Sequence, residues 1–234
     1  MSLQQTPQEA SAPPSALAHP ASPYVVPMAG LLFLLALGEH FGLGPWEYPL
    51  RVGLLTGLLL LVARRQVDLR VVSWWQSLLI GAAVFVIWIA PETLWPGYRH
   101  LWLFDNALTG SAVSSVPEDW RTSPMVLIFR TVRSVVLVPI IEELFWRAWL
   151  MRWLINADFR RVPLGAYTPY AFWVSAALFA TVHGSYWDVG LIAGVVYNWW
   201  MVRTKSLGDC ILAHAVTNAL LSGYVVTQGH WQYW

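Results

Sequence analysis

PIIEELFWRAWLM, residues Pro139–Met151, sets two adjacent carboxylates, Glu142 and Glu143, and one guanidinium, Arg147, in an otherwise apolar and aromatic run. Whether this run lies in water or in lipid decides the fold. Of the 234 residues, 57% are hydrophobic and 12% charged, and 16 are Trp. A soluble domain carries about 25% charged residues, so lipid is the solvent here. Ionisable side chains at membrane depth are costly enough to mark a functional site by default. The predicted class is all-α: a polytopic transmembrane helix bundle of about seven to eight helices.

Working outward, Pro124–Ile155 reads as one helix of ~48 Å at 1.5 Å per residue, kinked or broken at Pro139, where a backbone donor is missing. Downstream, Tyr170–Gly184, Trp187–Val202 and Leu207–Val226 read as further spans. Upstream, Tyr24–Leu43, Leu50–Ala63 and Val71–Ala90 do the same, with Glu39 and His40 near the end of the first. Pro91–Ser123 is the longest polar connection. Residues 1–23 are rich in Pro, Ala, Ser and Gln, lack Lys and Arg, and read as a disordered cytoplasmic tail rather than a secretory signal. The remainder, 24–230, reads as a single transmembrane domain. Arg64, Arg65, Arg70, Arg152, Arg160, Arg161, Arg203 and Lys205 fall on one side if the spans alternate. By the excess of basic residues in cytoplasmic loops, that side and the N-terminus are cytoplasmic.

Composition and motifs exclude several classes. No basic run points to nucleic acid. The lone Cys210 permits neither an intramolecular disulfide nor a cysteine-built metal site. None of the six histidines is followed by Glu, so HExxH is absent, and no GxSxG nucleophile elbow occurs.

Four polar features remain inside the spans. Glu143 and Arg147 are i,i+4 neighbours on one helix face, while Glu142 lies about 100° round the helix and is left for another partner. Phe179–His183, in FATVH, is a second i,i+4 pair. His214 and Asn218, in HAVTN, form a third and share a face of the last span. Asp209 reads as a helix-start acid favourable to the dipole. A carboxylate in an apolar site can act as general base on water. Neutral His and Asn can stabilise an oxyanion. Zinc held by Glu142, His183 and His214 is the alternative use of these groups. Two other classes use them differently: a silent membrane scaffold in which His and Asn glue helices together, and a proton-relay transporter, which lacks its usual inverted repeat.

EELFWR (Glu142–Arg147), FATVH (Phe179–His183) and HAVTN (His214–Asn218) resemble, in order, the motifs EExxxR, FxxxH and HxxxN of the type II CAAX prenyl endopeptidases, the CPBP or Abi family. The resemblance covers a motif core at 124–226. Ala148 stands where the family often has Gly. The resemblance implies an intramembrane endopeptidase in which Glu142, assisted by His183, activates water, and His214 and Asn218 form the oxyanion hole. It gives Glu143, Arg147 and Phe179 supporting roles, and it implies no metal cofactor. The implied substrate is a membrane-associated protein or peptide at the lipid bilayer. An immunity-type or scaffold protein without catalysis is the alternative within the same family. The text EELFWRAWLMRWL, followed by ADFRRVPLGAYT, is similar to a bacterial subfamily associated with PEP-CTERM/exosortase sorting, which implies a bacterial inner membrane.

Overall fold

The structure is a computed structural model that describes residues 19–37 and 42–234. The tail up to residue 18, Glu39 and His40 lie outside the described residues. Among the described residues seven helices follow one another: α1 (Ser22–Ala36), α2 (Gly44–Ala63), α3 (Trp74–Leu94), α4 (Pro124–Trp153), α5 (Pro169–Thr181), α6 (Trp187–Thr204) and α7 (Leu207–Gln228). No strand occurs among the described residues. The bundle expected from the sequence is the bundle formed.

Four of these helices, α2, α3, α4 and α7, are long and apolar enough to cross a membrane, and the chain is an integral membrane protein. Its outer face is apolar: Leu61 is 86% exposed and Leu79 70% exposed. Such side chains are stable facing hydrocarbon and would be costly facing water. The expectation of seven full spans is corrected. α5 has 13 residues, fewer than the ~20 that a span requires.

Local chemistry explains the boundaries. α5 starts where the Thr168 side chain accepts a bond from the Ala171 N–H, with Pro169 in the first turn. α7 starts at Ser206, which accepts from the Asp209 N–H at 3.2 Å. Asp209 does more than favour a dipole. Its two oxygens accept from the Val72 and Ser73 N–H groups, both at 2.8 Å, and from the Ser77 hydroxyl at 2.9 Å. One carboxylate thus ties the start of α3 to the start of α7.

α3 and α7 then pack closely along their length. A Cβ on Gly81 would meet the Ala213 carbonyl oxygen and the Val216 side chain, so only glycine permits this approach. Thr217 crosses the same seam, donating to the Gly81 carbonyl at 2.8 Å. α5 and α6 are joined by Asn198, whose amide donates to the Phe172 carbonyl at 2.8 Å and to Ser175 Oγ at 2.9 Å.

α4 runs through Pro139 as the one long helix expected, without the break that was its alternative. The helix widens to a π-helical stretch over Arg133–Leu137, immediately before the proline. The Val138 N–H bonds to the Arg133 carbonyl, five residues back. The extra width gives the proline ring room that an α-turn lacks. A second π-helical stretch, Leu144–Leu150, follows the two glutamates. The tryptophans of α4 do not share one lipid-facing side. Trp146 is buried at 4% exposure, whereas Trp153 is 46% exposed.

Candidate active site

The site is assembled on α4 and closed by α5, α6 and α7. Glu143 and Arg147 are wholly buried and pair through Glu143 Oε1 and Arg147 Nη1 at 3.2 Å, as the i,i+4 spacing predicts. Arg147 has further partners: it donates to the Gly194 carbonyl at 3.4 Å and lies 4.5 Å from the ring centre of Phe179 and 5.4 Å from that of Tyr197. A buried guanidinium persists only with such compensation. α6 comes near enough to provide it because residue 194 is glycine. A Cβ there would stand 3.1 Å from the Ala176 carbonyl and 3.2 Å from the Phe179 ring.

Glu143 also holds His214, a link the sequence does not reveal because the two are 71 positions apart. His214 Nδ1 lies 2.8 Å from Glu143 Oε1, the same oxygen that Arg147 reaches. A carboxylate flanked by a guanidinium accepts, so Nδ1 carries the hydrogen and the opposite ring nitrogen, Nε2, is left for other partners. Tyr197 stacks on the imidazole at 5.2 Å between ring centres and fixes its plane.

His183 Nδ1 meets the Phe179 carbonyl one turn back at 2.7 Å, and a carbonyl can only accept, so here too Nε2 is left over. The Phe179 ring stands 4.5 Å from His183 and 6.3 Å from His214. One phenylalanine thus joins His183, just beyond the end of α5, to His214 within α7.

Asn218 donates to the Ser134 carbonyl at 2.7 Å. In the π register set by the Val138-to-Arg133 bond, the next carbonyl in line, that of Ser134, faces residue 139, a proline with no N–H to give. Asn218 supplies the missing donor and keeps one further N–H free.

Glu142 remains. It is 8% exposed, and its Oε2 is buried with no hydrogen-bond partner. It lines a cavity of about 250 Å³ together with His183, His214, Asn218, Phe179 and Tyr197. All four residues expected to do chemistry thus line one cavity.

Comparison with protein-family models matches residues 124–220 to the type II CAAX prenyl endopeptidase Rce1-like family. Residues 124–220 form an Rce1-like domain. Comparison with curated proteins and with solved structures gave no match. The Rce1-like domain begins with α4 and ends in α7 just beyond Asn218, so the match contains every motif residue named above.

Around these residues the Rce1-like domain holds groups that sequence reasoning passed over. Thr217 and Tyr197 share a hydrogen bond at 2.7 Å behind His214. Thr217 could have been suspected from its place between His214 and Asn218, whereas Tyr197 sits in an apolar helix with nothing to single it out. Arg130 and Arg133 of the same domain also line the cavity. No three His, Cys, Asp or Glu side chains among the described residues are grouped as one metal ion requires.

Proposed function

We propose that the chain is an intramembrane endopeptidase that hydrolyses a peptide bond in a membrane-associated protein. The observation that carries this is the Glu142 carboxylate. Its neighbour Glu143 is taken up by Arg147 and His214, whereas Glu142 has a buried oxygen without a partner and faces a cavity ringed by His183, His214 and Asn218. A buried carboxylate left unpaired is costly as structure and useful as a base.

In the proposed reaction, Glu142 takes a proton from a water molecule that His183 steadies through its Nε2 lone pair. The water oxygen attacks the peptide carbonyl carbon, and the carbonyl oxygen becomes an oxyanion. The uncommitted N–H of Asn218 and Nε2–H of His214 donate to it. Since the Nδ1–H of His214 already goes to Glu143, Nε2 donates when the ring carries both hydrogens. Glu142 then returns the proton to the amide nitrogen as the C–N bond breaks, which gives a new carboxylic acid and a new amine, and the acid's proton passes to the amine.

The test is cleavage by purified protein in liposomes, read by mass spectrometry of membrane-protein ends. Glu142→Gln should lower the rate about 10²-fold or more and leave thermal unfolding unchanged. His214→Ala should also be slow. Wild-type rates from both variants would overturn the reading. Activity should survive exhaustive chelation, and zinc-dependent restoration of a chelated sample would overturn that part.

A second reading, a silent scaffold of the same family, draws support from how much of the site is also structural. Asn218 bonds to α4, and Glu143, Arg147 and His214 tie α4 to α7. It predicts that Glu142→Gln retains full biological function in cells.

A further inference from the structure

His183 stands just past the end of α5, where the short turn Gly184–Tyr186 leads on into α6. Its setting therefore depends on how that turn is held. Gly184 takes a φ of 53°, which side chains other than glycine adopt reluctantly. The Thr109 carbonyl packs against it, 2.9 Å from where a Cβ would stand. On the α6 side, Gly190 leaves space for the imidazole: a Cβ there would lie 3.2 Å from His183 Cβ and Cγ.

The hold on this turn comes from a residue outside the Rce1-like domain. Arg99, in the connection between α3 and α4, is 2% exposed. Its Nη1 donates to the Ser185 carbonyl at 2.8 Å and pairs with Asp188, two and five positions after His183. Its guanidinium carbon lies 4.6 Å from the ring centre of Tyr186 and 5.0 Å from that of Phe104. Tyr186 returns its N–H to the His183 carbonyl at 2.9 Å and stacks on Trp88, whose ring stands 5.4 Å from the imidazole. Arg99 is anchored in turn: the Gly97 and Arg99 N–H groups donate to Glu92, near the end of α3, at 2.9 and 3.0 Å. One side chain thus fastens the end of α3 to the turn that carries His183.

The pair is poorly explained by stability alone. Well-packed apolar groups of like volume stabilise an interior as well as a buried ion pair or better. Arg99 also keeps its Nε and Nη2 buried without acceptors, a further cost. What a charge-assisted pair supplies, and an apolar contact does not, is a fixed direction and distance.

We propose that Arg99 is a positioning residue for peptide hydrolysis: through Ser185 and Asp188 it holds the turn so that Nε2 of His183 meets the water used by Glu142. The inference rests on the peptidase reading of Glu142 and extends the site to a loop that precedes the family domain.

The test uses full-length protein in phosphatidylcholine liposomes and one palmitoylated peptide, chosen from a randomised pool as cleaved by wild type. R99M strands Asp188 and should lower the unfolding midpoint, whereas R99M/D188N leaves no charge unpaired and should recover most of it. A purely structural pair would let the rate recover as well. On the proposal, kcat of the double variant stays about 10²-fold down, the cost of a misplacement of about 1 Å, and KM is little changed. Wild-type kcat in the double variant, or a loss confined to KM, would overturn the proposal.

A second measurement needs no peptidase. Diethyl pyrocarbonate acylates a free imidazole nitrogen, and peptide mass spectrometry reads each histidine separately. His183 should be labelled about tenfold faster in R99M/D188N, the effect of losing one charge-assisted contact, while the buried His214 keeps its wild-type rate. Unchanged labelling of His183 would overturn the proposal. Faster labelling of His183, with no peptide in the pool cut by wild type, would keep Arg99 as the residue that positions His183 and remove the peptidase reading alone.

Discussion

At the scale of the residue, adjacent identical side chains have opposite circumstances. Glu143 accepts from Arg147 and His214 and is wholly buried, whereas Glu142 keeps an oxygen without a partner. The split between them is legible in the sequence, because i,i+4 spacing pairs Glu143 with Arg147 and turns Glu142 away. The second partner of Glu143 is not legible, because no periodicity connects positions on different helices. The arrangement has a measurable consequence. Arg147→Met should destabilise the protein by about 3–5 kcal/mol, the effect of stranding a buried carboxylate. The double variant Glu143→Gln/Arg147→Met should recover part of that loss, since no charge is then left unpaired. Thermal unfolding in detergent, run as a double-mutant cycle, measures both. Additive losses would show that the pair does not act as a unit.

At the scale of the element, α4 shows how a helix can accept a proline and remain whole. The sequence marks Pro139 as a disruption, and simple propensity predicts a kink or a break. The structure answers with a π-helical stretch over Arg133–Leu137 and a side chain from another helix, Asn218, on the carbonyl left without a donor. The two features should be energetically coupled. Asn218→Leu should lower stability by about 1–3 kcal/mol by leaving the Ser134 carbonyl unsatisfied. Pro139→Ala, which restores a backbone N–H at that place, should rescue part of the loss in the double variant. Equal losses with and without Pro139→Ala, in the same unfolding assay, would separate the two. The same stretch carries Arg133 and Ser134, so the accommodation of one proline places two residues of the cavity wall.

At the scale of the whole molecule, the helices meet where small residues let them. α3 and α7 approach through Gly81, where a Cβ would meet the Ala213 carbonyl and the Val216 side chain. Gly81→Ala should therefore lower the unfolding midpoint, with a loss of about 1–3 kcal/mol as for other overpacked interiors. An unchanged midpoint would mean that the seam yields. The amino-acid sequence by itself determined the solvent, the helical class, the long fourth helix and the three motifs that meet at the site. These depend on composition and on spacing within one helix, which the chain carries locally. It did not determine how many helices are long enough to cross the membrane, because an apolar run does not state where its helix will end. Nor did it reveal the Glu143–His214 link, the donor for the Ser134 carbonyl, or the cavity shared by Glu142 and Arg133. Only the tertiary structure decided these. Each joins atoms on separate helices, or opens a space between them, and the distance between helices is set by packing rather than by any one segment's pattern.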